Sequence, residues 1–250
     1  RRTFSLPQAA VRARLFSTAR GLTAMFLDGE PVDDSVFSPG WTDYHDAMAR
    51  VYHALGIDIC RGYGGSYAES DDGTVTDHGG GVETTIAGRT RWLSKKPIKT
   101  LEDLKTFRRE PADENWIRTE WVKSQEAQRE RFAPRTMWVP CTGCGFHAAY
   151  GLMGQTLFSY AIYDDPTNIE RLIEIETETC FRLAKAAADF RIAPMYLIGD
   201  DIAYKHKLMF SPDFLRKTFI KSLRKVAQPL KSAGIKVIFH SDGYVMDVID

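Results

Sequence analysis

The chain has 250 residues, 44% hydrophobic and 26% charged, the composition of a globular protein with enough apolar content for one large core or two modest ones. Its 33 basic and 33 acidic side chains balance, so no global charge draws it to nucleic acid or to an anionic membrane surface. No apolar run approaches the roughly 18 residues needed to span a bilayer, and four cysteines, Cys60, Cys141, Cys144 and Cys180, suit a reducing, cytoplasmic setting better than a disulfide framework.

The first stretch, RRTFSLPQAAVRARLFSTARG, carries five arginines and no acid before Asp28. A twin arginine opens it, but no continuous apolar segment follows; the Arg-rich, acid-free composition also suits an organelle transit peptide. We read residues 1–27 as a basic amphipathic helical extension and 28–250 as the main domain. DGEPVDDSVFSPG reads as a turn, a short strand at Ser35–Ser38 and a second turn. WTDYHDAMARVYHALG has helical apolar spacing with a stop at Gly56, and IDICRGY is a short apolar strand. From Gly64 to Ser94 the chain is rich in Gly, Asp and Thr, the turn chemistry of a β-meander or a long excursion, not of a helix. Its triple glycine at 79–81 lacks the Lys-Ser/Thr and the helix start of a phosphate loop.

Thr100 followed by Asp103 predicts a capped helix start in TLEDLKTFR. A long helical region follows through ENWIRTEWVKSQEAQRERF, with Trp116, Trp121 and Trp138 read as core residues. The rest alternates: TMWVPC (strand), GLMGQTLFSYAIY and DDPTNIERLIEIETETCFRLAKAAADF (helices), APMYLIGDD (strand), SPDFLRKTFIKSLRKVAQPLKSAG (helix) and IKVIFHSDG (strand). Ser211 is a cap with Pro212 at the first helical position, and Gly234 closes that helix. The lysines and arginines of its basic run read as a solvated outer face. Short apolar strands alternating with helices predict a parallel sheet with helices outside. Chemistry in such folds gathers at the C-terminal ends of the strands. Those ends read PCTGCGFH, GDDIAYKH and HSDGY, three consecutive clusters of titratable groups.

The Cys141-Thr-Gly-Cys144 pair has no second ligand pair at matching spacing, as a structural zinc site requires, and no helix starting at its first cysteine, as a thioredoxin-like motif requires. It reads as the loop after a strand, with glycines that let backbone approach a ligand and with Phe146, His147 and Tyr150 as walls. Asp200 and Asp201 face opposite ways if the strand runs through both. Either contacts substrate or metal or acts as an acid or base, or one caps the loop or pairs with Lys205 or Lys207. Tyr204 and His206 lie in the same loop. His240 and Asp242 stand two apart and can face one side. They are ligands to a metal, or a hydrogen-bonding pair in a pocket.

These motifs resemble the uroporphyrinogen decarboxylase-like superfamily, which joins uroporphyrinogen decarboxylase to the corrinoid-dependent methyltransferases. The superfamily pattern has a strand ending in Asp-Asp, then Met-x-Ser-Pro opening a helix, then a strand ending in His-x-Cys-Gly or a variant. It is matched by Asp200–Asp201, Met209–Pro212 and His240–Gly243. FLDGEPVDDSVFSPG, KPIKTLEDLKTF and GLMGQTLFSYAIYDDPTNIERLIE resemble its upstream motifs, so the likeness runs from about Leu27 to the end. It implies a (β/α)8 TIM-barrel fold, of which about the first five βα units are present, as in a C-terminally truncated member.

In zinc-dependent relatives the last motif reads His-x-Cys, and a later Cys completes a site that activates a thiol. Asp242 replaces that first cysteine here. The decarboxylases' Arg-Gln-Ala-Gly-Arg-Tyr and Ser-Asp-Ile-Leu segments are absent; SPGWTDYHDA and DICRGYGG stand in their places, leaving Arg61 as the anion-binding candidate. The resemblance therefore implies methyl transfer with a corrinoid protein or small-molecule acceptor as partner. The working groups would be Asp201, His240 and Asp242, and a divalent metal such as zinc would sit on His240 and Asp242. Asp200, Phe146, His147, Tyr150, Tyr204 and Arg61 would contact substrate. The alternatives are decarboxylation of a porphyrinogen-type acid, a lyase reaction, and a non-catalytic ligand-binding fragment.

Overall fold

The structure, a computed structural model, describes residues 26–27, 30–31, 44–61, 68–69, 74–76, 82–86 and 90–249. The chain divides into two compact units, residues 1–47 and 48–250. In the first, Phe26–Leu27 pairs antiparallel with Glu30–Pro31. The helical extension expected over 1–27 otherwise lies outside the described residues, as does the strand expected at Ser35–Ser38.

The alternating pattern lies in the second unit, apart from the first residues of the helix that opens it. Helix α1 (Tyr44–Leu55) precedes strand β1 (Ile59–Arg61), which pairs in parallel with β2 (Met137–Val139). Pro140 cannot donate to a ladder and separates β2 from β3 (Cys141–Thr142), which pairs in parallel with β4 (Met195–Gly199). The Pro140 carbonyl still accepts the Leu197 amide at 3.0 Å, so the ladder continues past the break. Strand β4 pairs in parallel with β5 (Lys236–His240) in the register Gly199↔His240. The parallel strands thus form a two-stranded sheet, β1–β2, and a three-stranded one in the order β3–β4–β5, with Pro140 alone between β2 and β3 and helices connecting β3 to β4 and β4 to β5. That is the α/β arrangement read from the strand–helix alternation. Between β1 and β2, the segments 68–69, 74–76, 82–86 and 90–95 form an antiparallel meander, the first of the two forms that the turn-rich composition allowed.

Helices cover the sheet on the side to which Tyr196, Ile198 and Phe239 point. They are α2 (Leu101–Thr106), α3 (Val122–Phe132), α4 (Phe146–Met153), α5 (Gln155–Asp164), α6 (Pro166–Asp189), α7 (Pro212–Lys217) and α8 (Phe219–Ser232). The capping signals act as written. The Thr100 hydroxyl accepts the Asp103 amide and the Asp103 carboxylate accepts the Thr100 amide, and Ser211 accepts the Phe214 amide ahead of Pro212. Thr100→Ala is expected to cost about 1 kcal/mol in a thermal or urea melt. Two predicted single helices are divided, one at Gly154 and one at Thr218.

Phe146 is the centre of the main core. Its ring meets Tyr150, Phe158, Phe210 and Phe219 at centroid distances of 5.5–5.9 Å, all edge to face, an arrangement that adds to simple area burial. A smaller cluster joins Ala49, Cys60, Phe132 and Trp138, with the Trp138 indole N–H bonded to Gln125. Trp121 is buried as expected, whereas Trp116, at the end of the short helix Glu114–Trp116, is 42% exposed. Three lysines of the basic run are paired rather than merely solvated. Lys217, Lys221 and Lys225 on α7 and α8 meet Glu170, Glu174 and Glu178 on α6, because both series repeat every four residues along facing helices.

Candidate functional site

Parallel pairing brings the C-terminal ends of β3, β4 and β5 together. The Asp200 amide donates to the His240 carbonyl at 3.1 Å, tying the residue after β4 to the last residue of β5. Along β5, Phe239 turns into the core against Phe219, so alternation sends His240 to the opposite face. Asp201 and Asp242 follow their strands directly. Ligand atoms of Asp201, His240 and Asp242 all lie within 4.8 Å of one another. His240 Nε2 is 3.6 Å from Asp242 Oδ1, and the Asp242 amide donates to Asp201 Oδ1 at 3.0 Å. Ser241 secures the crossing. Its hydroxyl accepts the Ile202 amide and donates to the Asp242 carbonyl. All three side chains reach solvent, Asp242 most of all.

Helix α4 supplies the second wall. His147, in its first turn, places Nδ1 3.8 Å from Asp201 Oδ2. The imidazole stacks on Tyr150 at a centroid distance of 4.8 Å, and the Tyr150 hydroxyl donates to the Asp201 carbonyl at 3.1 Å. Burial pushes the Tyr150 phenol well up, with the Asp201 and Asp200 carboxylates adding to it, so the phenol stays a donor across the working pH range.

Asp200 has a different environment. It is 4% exposed, and its Oδ2 accepts three donors: the Cys144 amide at 3.0 Å, the Cys144 thiol at 2.9 Å and the Phe146 amide at 3.0 Å. Gly143 permits the approach, since a Cβ there would stand 2.8 Å from Asp200 Oδ1. Burial raises the carboxyl's pKa from its ordinary value even against these donors. Burial, reinforced by Asp200, likewise pushes the Cys144 thiol far up, so it is a neutral donor and not a nucleophile.

Asp201, His240, Asp242, His147 and Tyr150 thus converge. Two residues expected to contact substrate stand behind the site instead. Phe146 is fully buried among aromatic rings, and Asp200 is consumed by the β3–α4 loop. The reason is local. Asp200 and Asp201 face opposite ways just past the end of β4, so Asp200 turns to the helix layer with Ile198 and only Asp201 reaches the open face. Tyr204 is exposed and donates its hydroxyl to Gln155 at 3.0 Å. Arg61 ends β1, in the separate β1–β2 sheet; burial pushes the Cys141 thiol up, and the Arg61 charge offsets this only in part. Ser241 and Cys144 hold the site in ways the sequence did not signal. Ser241 sits visibly between two candidate groups, but nothing in the chain announces its partner Ile202. All four cysteines are free thiols.

No curated protein matches the chain. A family model, the alpha-L-rhamnosidase N-terminal domain, matches residues 8–57, a stretch that ends before β1 and bears on none of the site residues. It describes a family other than the one the motifs resemble. Among solved structures, a methyltransferase from Methanosarcina mazei is similar, with a TM-score of 0.58 and 20% identity over 82% of this chain and 57% of that chain. The two share a fold. At that identity the likeness concerns architecture, and this chain spans a little over half the length of that methyltransferase. Among the described residues no helix is long and apolar enough to cross a membrane.

Proposed function

We propose that the chain belongs to a (β/α)8-barrel enzyme of the uroporphyrinogen decarboxylase-like type that moves a methyl group between a corrinoid-carrying partner protein and a small acceptor. The carrying observation is the cluster of Asp201, His240 and Asp242 at the C-terminal ends of adjacent parallel strands, where barrel enzymes do their chemistry. The methyltransferase fold and the superfamily-like Asp-Asp, Met-x-Ser-Pro and His-x-x-Gly motifs agree with it.

The zinc of the related methyltransferases is a thiolate-held ion, and among the described residues no cysteine joins this cluster. The donors present are one imidazole and two carboxylates, a set that fits a divalent ion of nitrogen and oxygen preference. Such an ion, when bound, lowers the pKa of an acceptor group and makes it a nucleophile. Asp201, His240 and Asp242 would hold it, and the stitched Ser241 loop keeps their spacing fixed. Tyr150 positions Asp201 through its carbonyl, and the half-exposed rims of His147 and Tyr204 leave the face open to a partner that brings the methyl group.

Elemental analysis of the full-length protein, alongside methyl transfer from methylcobalamin to a panel of thiols and alcohols, tests this. Wild type is expected to carry close to one divalent ion per chain and His240→Ala to lose both the ion and the transfer. A folded wild-type protein that takes up no ion and demethylates nothing would overturn the proposal.

A further inference from the structure

Neither His147 nor His240 makes a side-chain hydrogen bond among the described residues. Each nonetheless faces a carboxylate. His147 Nδ1 stands 3.8 Å from Asp201 Oδ2, and His240 Nε2 stands 3.6 Å from Asp242 Oδ1. Both separations exceed the 2.7–3.2 Å or so of a hydrogen bond. They lie close to the edge of a coordination shell, since two ligands about 2.1 Å from one ion sit about 3.4 Å apart at the tetrahedral angle. The two pairs are linked through Asp201, whose Oδ1 is held by the Asp242 amide while Oδ2 is turned to His147.

We infer that His147 is a fourth ligand of the ion held by Asp201, His240 and Asp242, making the site a two-imidazole, two-carboxylate centre selective for nitrogen- and oxygen-preferring divalent ions. The inference rests on the metal reading above and adds to it a residue from a different element. His147 stands outside the compact three-residue cluster, against Asp201 alone, and would join it by a side-chain rotation. Its half-exposed ring stacks on Tyr150 on the side facing Asp201. The helix that carries it is anchored from behind by Asp200, whose Oδ2 takes the Phe146 amide one residue before His147. The position of His147 over Asp201 is therefore built by the same loop that buries Asp200. A site of this kind binds an acceptor through an oxygen or nitrogen atom in preference to a soft thiolate, because its own donors make the ion a harder Lewis acid than thiolates do.

Titration of the full-length, metal-free protein with Co2+, followed by the visible d–d absorption and by calorimetry, tests the assignment without any turnover. His147→Phe keeps an aromatic ring to stack on Tyr150 but removes both nitrogens; His147→Ala removes both features. Both variants are expected to bind Co2+ about 10- to 100-fold more weakly than wild type and to show an altered band pattern, as loss of a ligand does. If His147→Phe binds with wild-type affinity and an unchanged spectrum, the ring only packs and the inference fails, while the three-residue site stands. If folded wild type binds no Co2+ at all, the inference and the metal reading fall together.

Discussion

Asp200→Ala is expected to destabilise the protein by about 3–5 kcal/mol, with little native protein left in moderate urea. The substitution removes the acceptor of the Cys144 amide, the Phe146 amide and the Cys144 thiol, all in a buried loop. Each buried amide left without a partner costs about 1–3 kcal/mol, and the space left behind admits no obvious replacement. Asp200→Asn retains an acceptor oxygen and removes a buried charge, so its cost is expected to be far smaller. The two variants also differ in pH dependence. Because burial raises the folded-state pKa of Asp200, the folded protein holds this proton more tightly than the unfolded chain does. Its ionisation therefore lowers stability as pH rises from the unfolded carboxylate value of about 3.9 through the folded value, and the cost is fully present above that. Unfolding curves across that window should show Asp200→Asn gaining on wild type as pH rises. A constant difference between the two proteins would mean that Asp200 does not titrate differently in the folded state.

Gly145→Ala should be of comparable severity, at least about 3 kcal/mol. Gly145 caps α4 with φ 92°, a conformation in which a Cβ is disfavoured. A Cβ there would also collide with α6, touching the Thr177 amide nitrogen and lying 2.7 Å from both the Glu176 carbonyl carbon and Thr177 Cα. These are helix backbone atoms, pinned further by the Thr177 hydroxyl, which bonds the Cys144 carbonyl at 2.8 Å. Relief requires α4 and α6 to separate, which would carry His147 away from Asp201. Calorimetric melting of the variant checks the first consequence and Co2+ affinity the second. A melting temperature equal to wild type would show that the β3–α4 loop can move freely.

Both effects concern PCTGCGFH, the segment whose paired cysteines first suggest a metal or redox motif. The structure gives it another role. Cys144 is a buried hydrogen-bond donor, Gly143 and Gly145 permit two close approaches, and the segment's contribution to the open face is His147. Spacing alone could not separate these roles, because a cysteine two residues from another is equally compatible with ligation, disulfide exchange or packing. The choice depends on what stands opposite, and Asp200 comes from 56 residues away.

The sequence by itself determined the local features. Thr100 with Asp103 and Ser211 with Pro212 start helices where their side chains can satisfy free amides, and those bonds are made within three residues. It also determined the alternation of short apolar strands with helices, and hence a parallel sheet whose polar strand ends gather on one side. Tertiary structure alone decided which of the adjacent Asp200 and Asp201 is buried and which is open. It also turned Phe146 into the core while leaving its neighbour His147 at the site, and it brought His240 and Asp242 to Asp201 across 39 to 41 positions of chain. The physical reason is the register of β4 against β5. Pairing Gly199 with His240 sets these distances, and a one-residue slip would send His240 into the helix layer and Phe239 to the open face.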